Sequence, residues 1–166
     1  MPTRRPLLLT LAAVALPFVV IPIARALDAP TGGVVLTIEF KASGRKVDFD
    51  MAMLAKLPQR SFTTATPWYP KPRTFTGPLL RDVLAAAGAS GAQLRLIALN
   101  DFRVGMPASD ADKYDVVLAR LLDGQPMPVR EKGPLFVIYP YDSHPELQSE
   151  LFFNRSAWQL RTIEVQ

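Results

Sequence analysis

Residues 34–40, VVLTIEF, put Leu36, Ile38 and Phe40 on one face and Val35, Thr37 and Glu39 on the other. That is the period of two of a half-buried strand. Lys41-Ala42-Ser43-Gly44-Arg45 supplies a turn before KVDFD, so 34–50 reads as a β-hairpin. Asp50 stands where it can cap a short helix over Met51–Leu57, with Pro58 just past its end. The β-branched run RSFTTAT, 60–66, reads as a strand. TPWYPKPRTFTGP carries four prolines between 67 and 78, and so many missing donors predict an ordered loop or flap instead of a central strand.

From Pro78 the pattern changes period. Leu79, Leu80, Val83, Leu84 and Ala87 follow helical spacing, with Pro78 at the first position and Gly88 closing the helix. QLRLIAL, 93–99, and FRVGM, 102–106, read as paired strands about an Asn100-Asp101 turn, and Ser109 or Asp110 starts a short helical turn. Asp123-Gly124 is a hairpin signal. PLFVIYP, 134–140, is the most apolar strand, 145–153 is helical or irregular, and a closing strand runs through Trp158–Val165. Strands outnumber singly inserted helices, which predicts an α+β or mixed α/β class with a strand-rich core and a few short helices.

Composition narrows the chemistry. A chain of 166 residues, 49% hydrophobic, has enough apolar material for one core. Arg4-Arg5 precede an apolar stretch from Leu7 to Ile23 and then Ala24-Arg25-Ala26, the layout of a secretory signal cleaved after Ala26. The competing reading is a retained anchor, for which roughly 17 residues broken by Pro17 and Pro22 are at the short limit. Residues 1–26 are therefore read as a signal and 27–166 as a single domain, periplasmic in location. Removing the signal takes away three arginines and leaves 16 basic against 15 acidic residues, so nucleic acid is not an expected partner.

An exported chain without cysteine has no disulfide to form, no thiolate nucleophile and no soft metal ligand. With His144 its only histidine, a two-histidine metal site is excluded too. Adjacent Asp142, Ser143 and His144 cannot make a nucleophile–base–orienter relay. A non-enzyme is expected, with no catalytic cofactor and no metal.

Four blocks carry a resemblance: Phe75-Thr76-Gly77-Pro78-Leu79-Leu80-Arg81-Asp82-Val83-Leu84; Asp123-Gly124-Gln125-Pro126-Met127; Gly133-Pro134-Leu135-Phe136-Val137-Ile138-Tyr139-Pro140; and Trp158-Gln159-Leu160 with Ile163-Glu164-Val165. In order and spacing they resemble the molybdopterin-binding domain of the sulfite oxidase family, over roughly residues 60–165. The resemblance implies that family's mixed fold and a pterin-shaped pocket. Where its enzymes carry a molybdenum-ligating cysteine, this chain reads Ser61-Phe62-Thr63-Thr64-Ala65-Thr66, and a threonine hydroxyl is too hard and too rarely deprotonated to replace a thiolate. Small exported members without the cysteine are similar to periplasmic pterin-binding regulators. That similarity implies a free, reduced pterin as ligand and, as partner, the periplasmic domain of a membrane sensor, whether a cyclic-di-GMP enzyme or a histidine kinase. Two alternatives stay open: an accessory or cofactor-carrying subunit of a molybdopterin-dependent oxidoreductase, and a ligand-free protein-interaction module.

A pterin needs aromatic faces, a carboxylate for its amino edge and donors for its oxygen. The candidate stacking groups are Trp68 and Tyr69 in the proline-rich loop and Tyr139 and Tyr141 after the core strand; each is also able to serve as a core cover. Asn100, Asp101 and Arg103 join two strands and offer a carboxylate near a guanidinium, or a plain turn with a solvated ion pair. Asp142, Ser143 and His144 offer groups for a diol side chain, or a simple Asx turn. Asn154-Arg155-Ser156 form a polar trio just before the closing strand, where the resemblance implies residues near the pterin; Arg155 offers a fork of donors, or a salt bridge to Glu146 or Glu150. Trp158 is assigned to the core, and Arg130-Glu131-Lys132 to a solvated charge run. Tyr141–His144 are expected to form one pocket wall facing Trp68 and Tyr69, so Tyr141→Ala should lose ligand and keep the fold.

Overall fold

The structure is a computed structural model and describes residues 29–166; the secretory-signal reading of 1–26 lies outside the described residues. The strands are β1 (Val34–Phe40), β2 (Lys46–Asp50), β3 (Gln59–Thr64), β4 (Arg73–Pro78), β5 (Gln93–Ala98), β6 (Arg103–Pro107), β7 (Val117–Ala119), β8 (Leu121–Leu122), β9 (Gln125–Pro126), β10 (Phe136–Ile138) and β11 (Leu160–Val165). The helices are α1 (Met51–Lys56), α2 (Leu80–Ala86), α3 (Ser109–Lys113) and α4 (Glu150–Arg155), and short 3-10 turns cover 129–131, 141–143 and 145–147. The α+β class is as the sequence pattern predicts.

The main sheet has the order β2-β1-β11-β5-β6. Its centre is the parallel pairing of β1 with β11, Ile38 opposite Ile163, which ties the two ends of the domain together; the other pairings are antiparallel. Leu36 and Ile38 are fully buried, as their alternation predicts, while Phe40 is half-buried with the Arg45 guanidinium 3.7 Å from its ring centroid. Asp50 caps α1 by accepting from Met53 N at 2.8 Å, and its other oxygen accepts from Thr31 N at 2.8 Å and Gly32 N at 2.9 Å. Three backbone donors hold its carboxyl down at about 2.

A second sheet, in the order β3-β4-β8-β9, corrects the expected loop over 67–78. Only 67–72 is a loop; Arg73–Pro78 is an interior strand, bonded to β3 along its length and to β8. Pro72 and Pro78 bound the run, and the residues between them keep their donors, so counting prolines overlooked an intact strand. Gly77 is required there: a Cβ would stand 2.0 Å from the Leu118 carbonyl oxygen. The helix that follows starts at Leu80, with Pro78 closing the strand instead of opening the helix. Gly88, at φ +66°, ends it as expected, with Gly88 N on Ala85 O and Ala89 N on Leu84 O, the paired bonds of a Schellman motif. Asp123 and Gly124, at φ 48° and 77°, make the type I′ turn between β8 and β9.

The larger apolar cluster joins the main sheet to the helices, and the smaller gathers Phe75, Val117, Ala119, Met127, Phe136 and Ile138. β10 pairs with β7, and Phe136 bridges to Trp158. Trp68 packs against both clusters and Tyr69 against the smaller one, so two aromatic rings hold the 67–72 loop to the core.

Candidate functional site

Trp68 is half-buried at the centre of a set of aromatic rings. Its ring centroid lies 5.3 Å from Phe136, 5.7 Å from Trp158, 6.1 Å from Phe153 and 6.3 Å from Tyr141, and the last three meet it edge to face. Such pairs contribute ~0.5–1.5 kcal/mol each beyond their buried area, which fixes the indole with one side open. The open side is a cleft of about 200 Å³ lined by Trp68, Ala98, Asn100, Phe102, Phe153, Asn154, Ser156 and Trp158.

The elements place these groups for local reasons. Asn100 Oδ1 accepts from Phe102 N at 3.2 Å, an Asx turn that closes β5–β6 and leaves the Phe102 ring 48% exposed at the rim. Asn154 and Ser156 flank the end of α4, where Ser156 Oγ donates to Phe152 O at 3.0 Å and pairs with the Tyr141 hydroxyl. The lining side chains are aromatic, aliphatic, amide and hydroxyl, and none carries a formal charge.

A second chamber of about 280 Å³ lies alongside, lined by Ala65, Thr66, Pro67, Tyr141, Asp142, Gln148 and Phe153. The two chambers share Phe153 as a wall, and Pro67 and Trp68 are neighbours in the chain. Asp142 Oδ2 accepts from Ala65 N at 2.8 Å while Asp142 N donates to Thr64 Oγ1 at 3.2 Å, which clips the end of β3 to the turn after β10. Thr66 Oγ1 is shielded from solvent and has no hydrogen-bond partner among the described residues.

The expected residues divide. Trp68 and Asn100 line the first chamber; Tyr141 and Asp142 line the second. Tyr141 corrects the expected open wall: it is only 1% exposed, and burial pushes its phenol pKa up, so it is a core residue that shows an edge to the chamber. Tyr139 is fully buried and donates to Asp110 Oδ2 at 2.8 Å; burial, then that carboxylate, push its pKa up. Tyr69 does not face Tyr141. It sits 6.3 Å from Phe75 in the smaller cluster, with the Arg73 guanidinium 5.0 Å from its ring centroid, and burial raises its pKa.

Asp101 does not join Arg103. At φ 63° it accepts from Arg161 Nη2 at 2.7 Å, while Arg103 is exposed on edge strand β6. Ser143 is exposed, and His144 stacks edge to face on Tyr114 at 5.5 Å; neither lines the two chambers. Arg155 pairs with Asp110 at 2.8 Å, not with Glu146 or Glu150. Trp158, assigned to the core, lines the cleft, and Lys132, assigned to a solvated run, has its ammonium 4.4 Å from the Trp158 ring centroid.

Of the polar trio before the closing strand, Asn154 and Ser156 line the cleft and Arg155 does not. Phe102, Phe153 and Asp110 were missed. The first two lie on segments where no period marks one face as special, and Asp110 carries a partner 45 positions away.

Among the described residues no group of three or more metal-ligating side chains converges. The residues do not fit a thiolate-held molybdenum, because the chain has no cysteine and the end of β3 offers threonine hydroxyls in its place.

No family model matches this chain, and no curated protein matches it. Among solved structures, it is similar to the sulfane dehydrogenase SoxCD from Paracoccus pantotrophus, with a TM-score of 0.61 and 17% identity, over 84% of this chain and 40% of that one. The chain thus spans two fifths of the length of that relative. At such identity the likeness is one of fold, and the fold is the mixed α+β type that the four sequence blocks implied.

Proposed function

We propose that this protein is a non-catalytic pterin-binding protein, exported to the periplasm, that reports a reduced pterin to a membrane-bound signalling partner. The observation that carries the reading is the cleft that Trp68 and Trp158 line together: aromatic surface for a flat bicycle, with the amides of Asn100 and Asn154 and the Ser156 hydroxyl for its polar edges. Neutral amides offer a donor and an acceptor together, which suits an edge that carries both. The absent thiolate supports a binder over an oxygen-transfer enzyme.

A separate observation supports a protein partner. Val34, Leu99 and Val129, 52%, 43% and 51% exposed, line a depression of about 360 Å³ with Pro134 and Leu160. Three large aliphatic side chains gathered at one place are the kind of patch that marks an interaction surface.

The test is a thermal-shift titration of the purified protein with reduced and oxidised pterins under anaerobic conditions. Ligand at about 100 times its dissociation constant adds roughly 2.7 kcal/mol of stability. A saturable shift specific to pterins supports the reading; no shift with any pterin leaves the interaction module as the better account.

A further inference from the structure

The sheet edges of this fold are guarded, with β3 as the exception. Edge strand β2 carries Lys46 and Asp48 and a register shift against β1, edge strand β6 carries Arg103, Gly105 and Pro107, and β9 is only two residues long and ends in Pro126. Charges, prolines, irregular register and shortness are the devices that keep a sheet edge from pairing with another chain. In the two-stranded sheet, Leu79 bridges to β7 and Trp158 to β10. Apart from Arg60, β3 lacks these guards: its six residues, QRSFTT, pair with β4 from Gln59↔Pro78 to Thr64↔Arg73 without a shift, and its other side is the end of the sheet. Gln59, Arg60, Ser61 and Thr63 are exposed.

The direction of each backbone group along β3 follows from its neighbours. Thr74 O accepts from Asp123 N at 2.8 Å and Thr76 O from Arg120 N at 2.9 Å, so β4 turns these two residues toward β8. By the alternation of an antiparallel ladder, β4 then meets β3 through Arg73, Phe75 and Gly77, whose partners are Thr64, Phe62 and Arg60. The N–H and C=O of Ser61 and Thr63 therefore point away from the sheet, with no strand beyond them among the described residues. We propose that a second copy of this chain pairs there, β3 against β3, antiparallel about a two-fold axis at Phe62. This register sets Ser61 opposite Thr63 of the second copy, and so repeats the hydroxyl pairs that β3 already makes with β4, Ser61–Thr76 and Thr63–Thr74, each at 2.8 Å. Phe62 meets Phe62 of the second copy as it meets Phe75 within the chain, and the two Arg60 side chains stay at opposite ends of the ladder. One stretch of chain thus complements itself, which is what a two-fold interface requires. An extended peptide from another protein would use the same backbone groups without this match of side chains.

The test is sedimentation equilibrium of the purified protein over a concentration series, with hydrogen exchange on the same samples. Expected is a reversible monomer–dimer equilibrium in which the amides of Phe62 and Thr64 are protected at every concentration, and those of Ser61 and Thr63 only in the dimer. Thr63→Pro removes an outward donor that the monomer does not use, a position at which an edge strand accepts proline, and weakens the dimer by roughly tenfold or more. Ser61→Lys puts a charge on the edge, keeps the native circular dichroism spectrum and weakens the dimer as well, so it carries the test if Thr63→Pro does not fold. A protein that stays monomeric at every concentration overturns the proposal and leaves the edge to an extended peptide of another protein. A dimer that survives both substitutions, or in which Ser61 and Thr63 exchange as fast as in the monomer, overturns the assignment to β3.

Discussion

Arg155 and Asp110 form a salt bridge at 2.8 Å between α4 and α3, with side chains only 16% and 10% exposed. The same Asp110 oxygen accepts from the Tyr139 hydroxyl at 2.8 Å, so one carboxylate joins α3, α4 and the chain after β10. This bond sets the end of α4, and Asn154 and Ser156, on either side of Arg155, line the cleft. Removing one partner of a buried pair strands the other, at a typical cost of about 3–5 kcal/mol. Asp110→Ala should therefore lose about 3 kcal/mol or more in urea unfolding. The exposed pair Arg161–Asp101, 45% and 69% exposed, is the contrast. Arg161→Gln should change stability by less than about 1 kcal/mol. Equal losses at the two sites would refute the ranking by burial.

Gly77→Ala should abolish the fold. The added Cβ meets Leu118 O at 2.0 Å and Leu118 C at 2.7 Å, both backbone atoms of β7 that cannot swing aside. Overpacking of this kind exceeds the roughly 1–3 kcal/mol of ordinary core insertions. Circular dichroism and soluble yield read it; a folded Gly77→Ala protein with native melting would contradict the close packing of β4 on β7.

Tyr141→Ala is not the clean ligand-site probe that sequence suggests. With 1% of its surface exposed, truncation creates a cavity and should cost about 3–5 kcal/mol, as large aromatic truncations do. Tyr141→Phe removes only the hydroxyl pairing with Ser156 and should cost about 1 kcal/mol. Both values come from denaturant melts, and a Tyr141→Ala loss below that of Tyr141→Phe would place the ring outside the core.

Acid should loosen the start of α1. The Asp50 carboxyl is held at about 2, below its ordinary 3.8, by Met53 N first and then by Gly32 N. A depressed folded value means the contribution is fully present above about 3.8 and fades as the pH falls toward 2. Thermal melts of native protein and Asp50→Asn between these limits should converge as acid is added. Parallel melting curves with a constant gap would contradict the capping role.

The parts of this fold legible in sequence are local. The alternation of β1, the Asp50 cap, the Gly88 stop and the Asp123-Gly124 turn each depend on neighbours within a few positions, and the structure has them all. β4 was hidden because prolines at 70 and 72 sit so close to an intact five-residue run. The parallel β1–β11 pairing joins the two ends of the domain, and no local pattern encodes it. The site follows the same rule. Trp68, Asn100, Tyr141 and Asp142 were visible as polar or aromatic breaks in apolar runs, but their grouping into two chambers depends on Phe153 and Trp158, whose apolar character reads as core. Tyr139 and Arg155 looked like ligand groups because their true partner, Asp110, lies 29 and 45 positions away.

The central claim is that a pterin lies in the cleft lined by Trp68 and Trp158, and the chain reports on it directly because these are its only two tryptophans. Anaerobic titration of intrinsic fluorescence with a reduced pterin is the measurement to make. Binding in the cleft predicts saturable quenching at one equivalent, sharply reduced in Trp68→Phe, with the affinity weakened by the loss of stacking area. Emission that stays constant, or falls without saturation in native and variant protein alike, would contradict a pterin site in the cleft that the two indoles line.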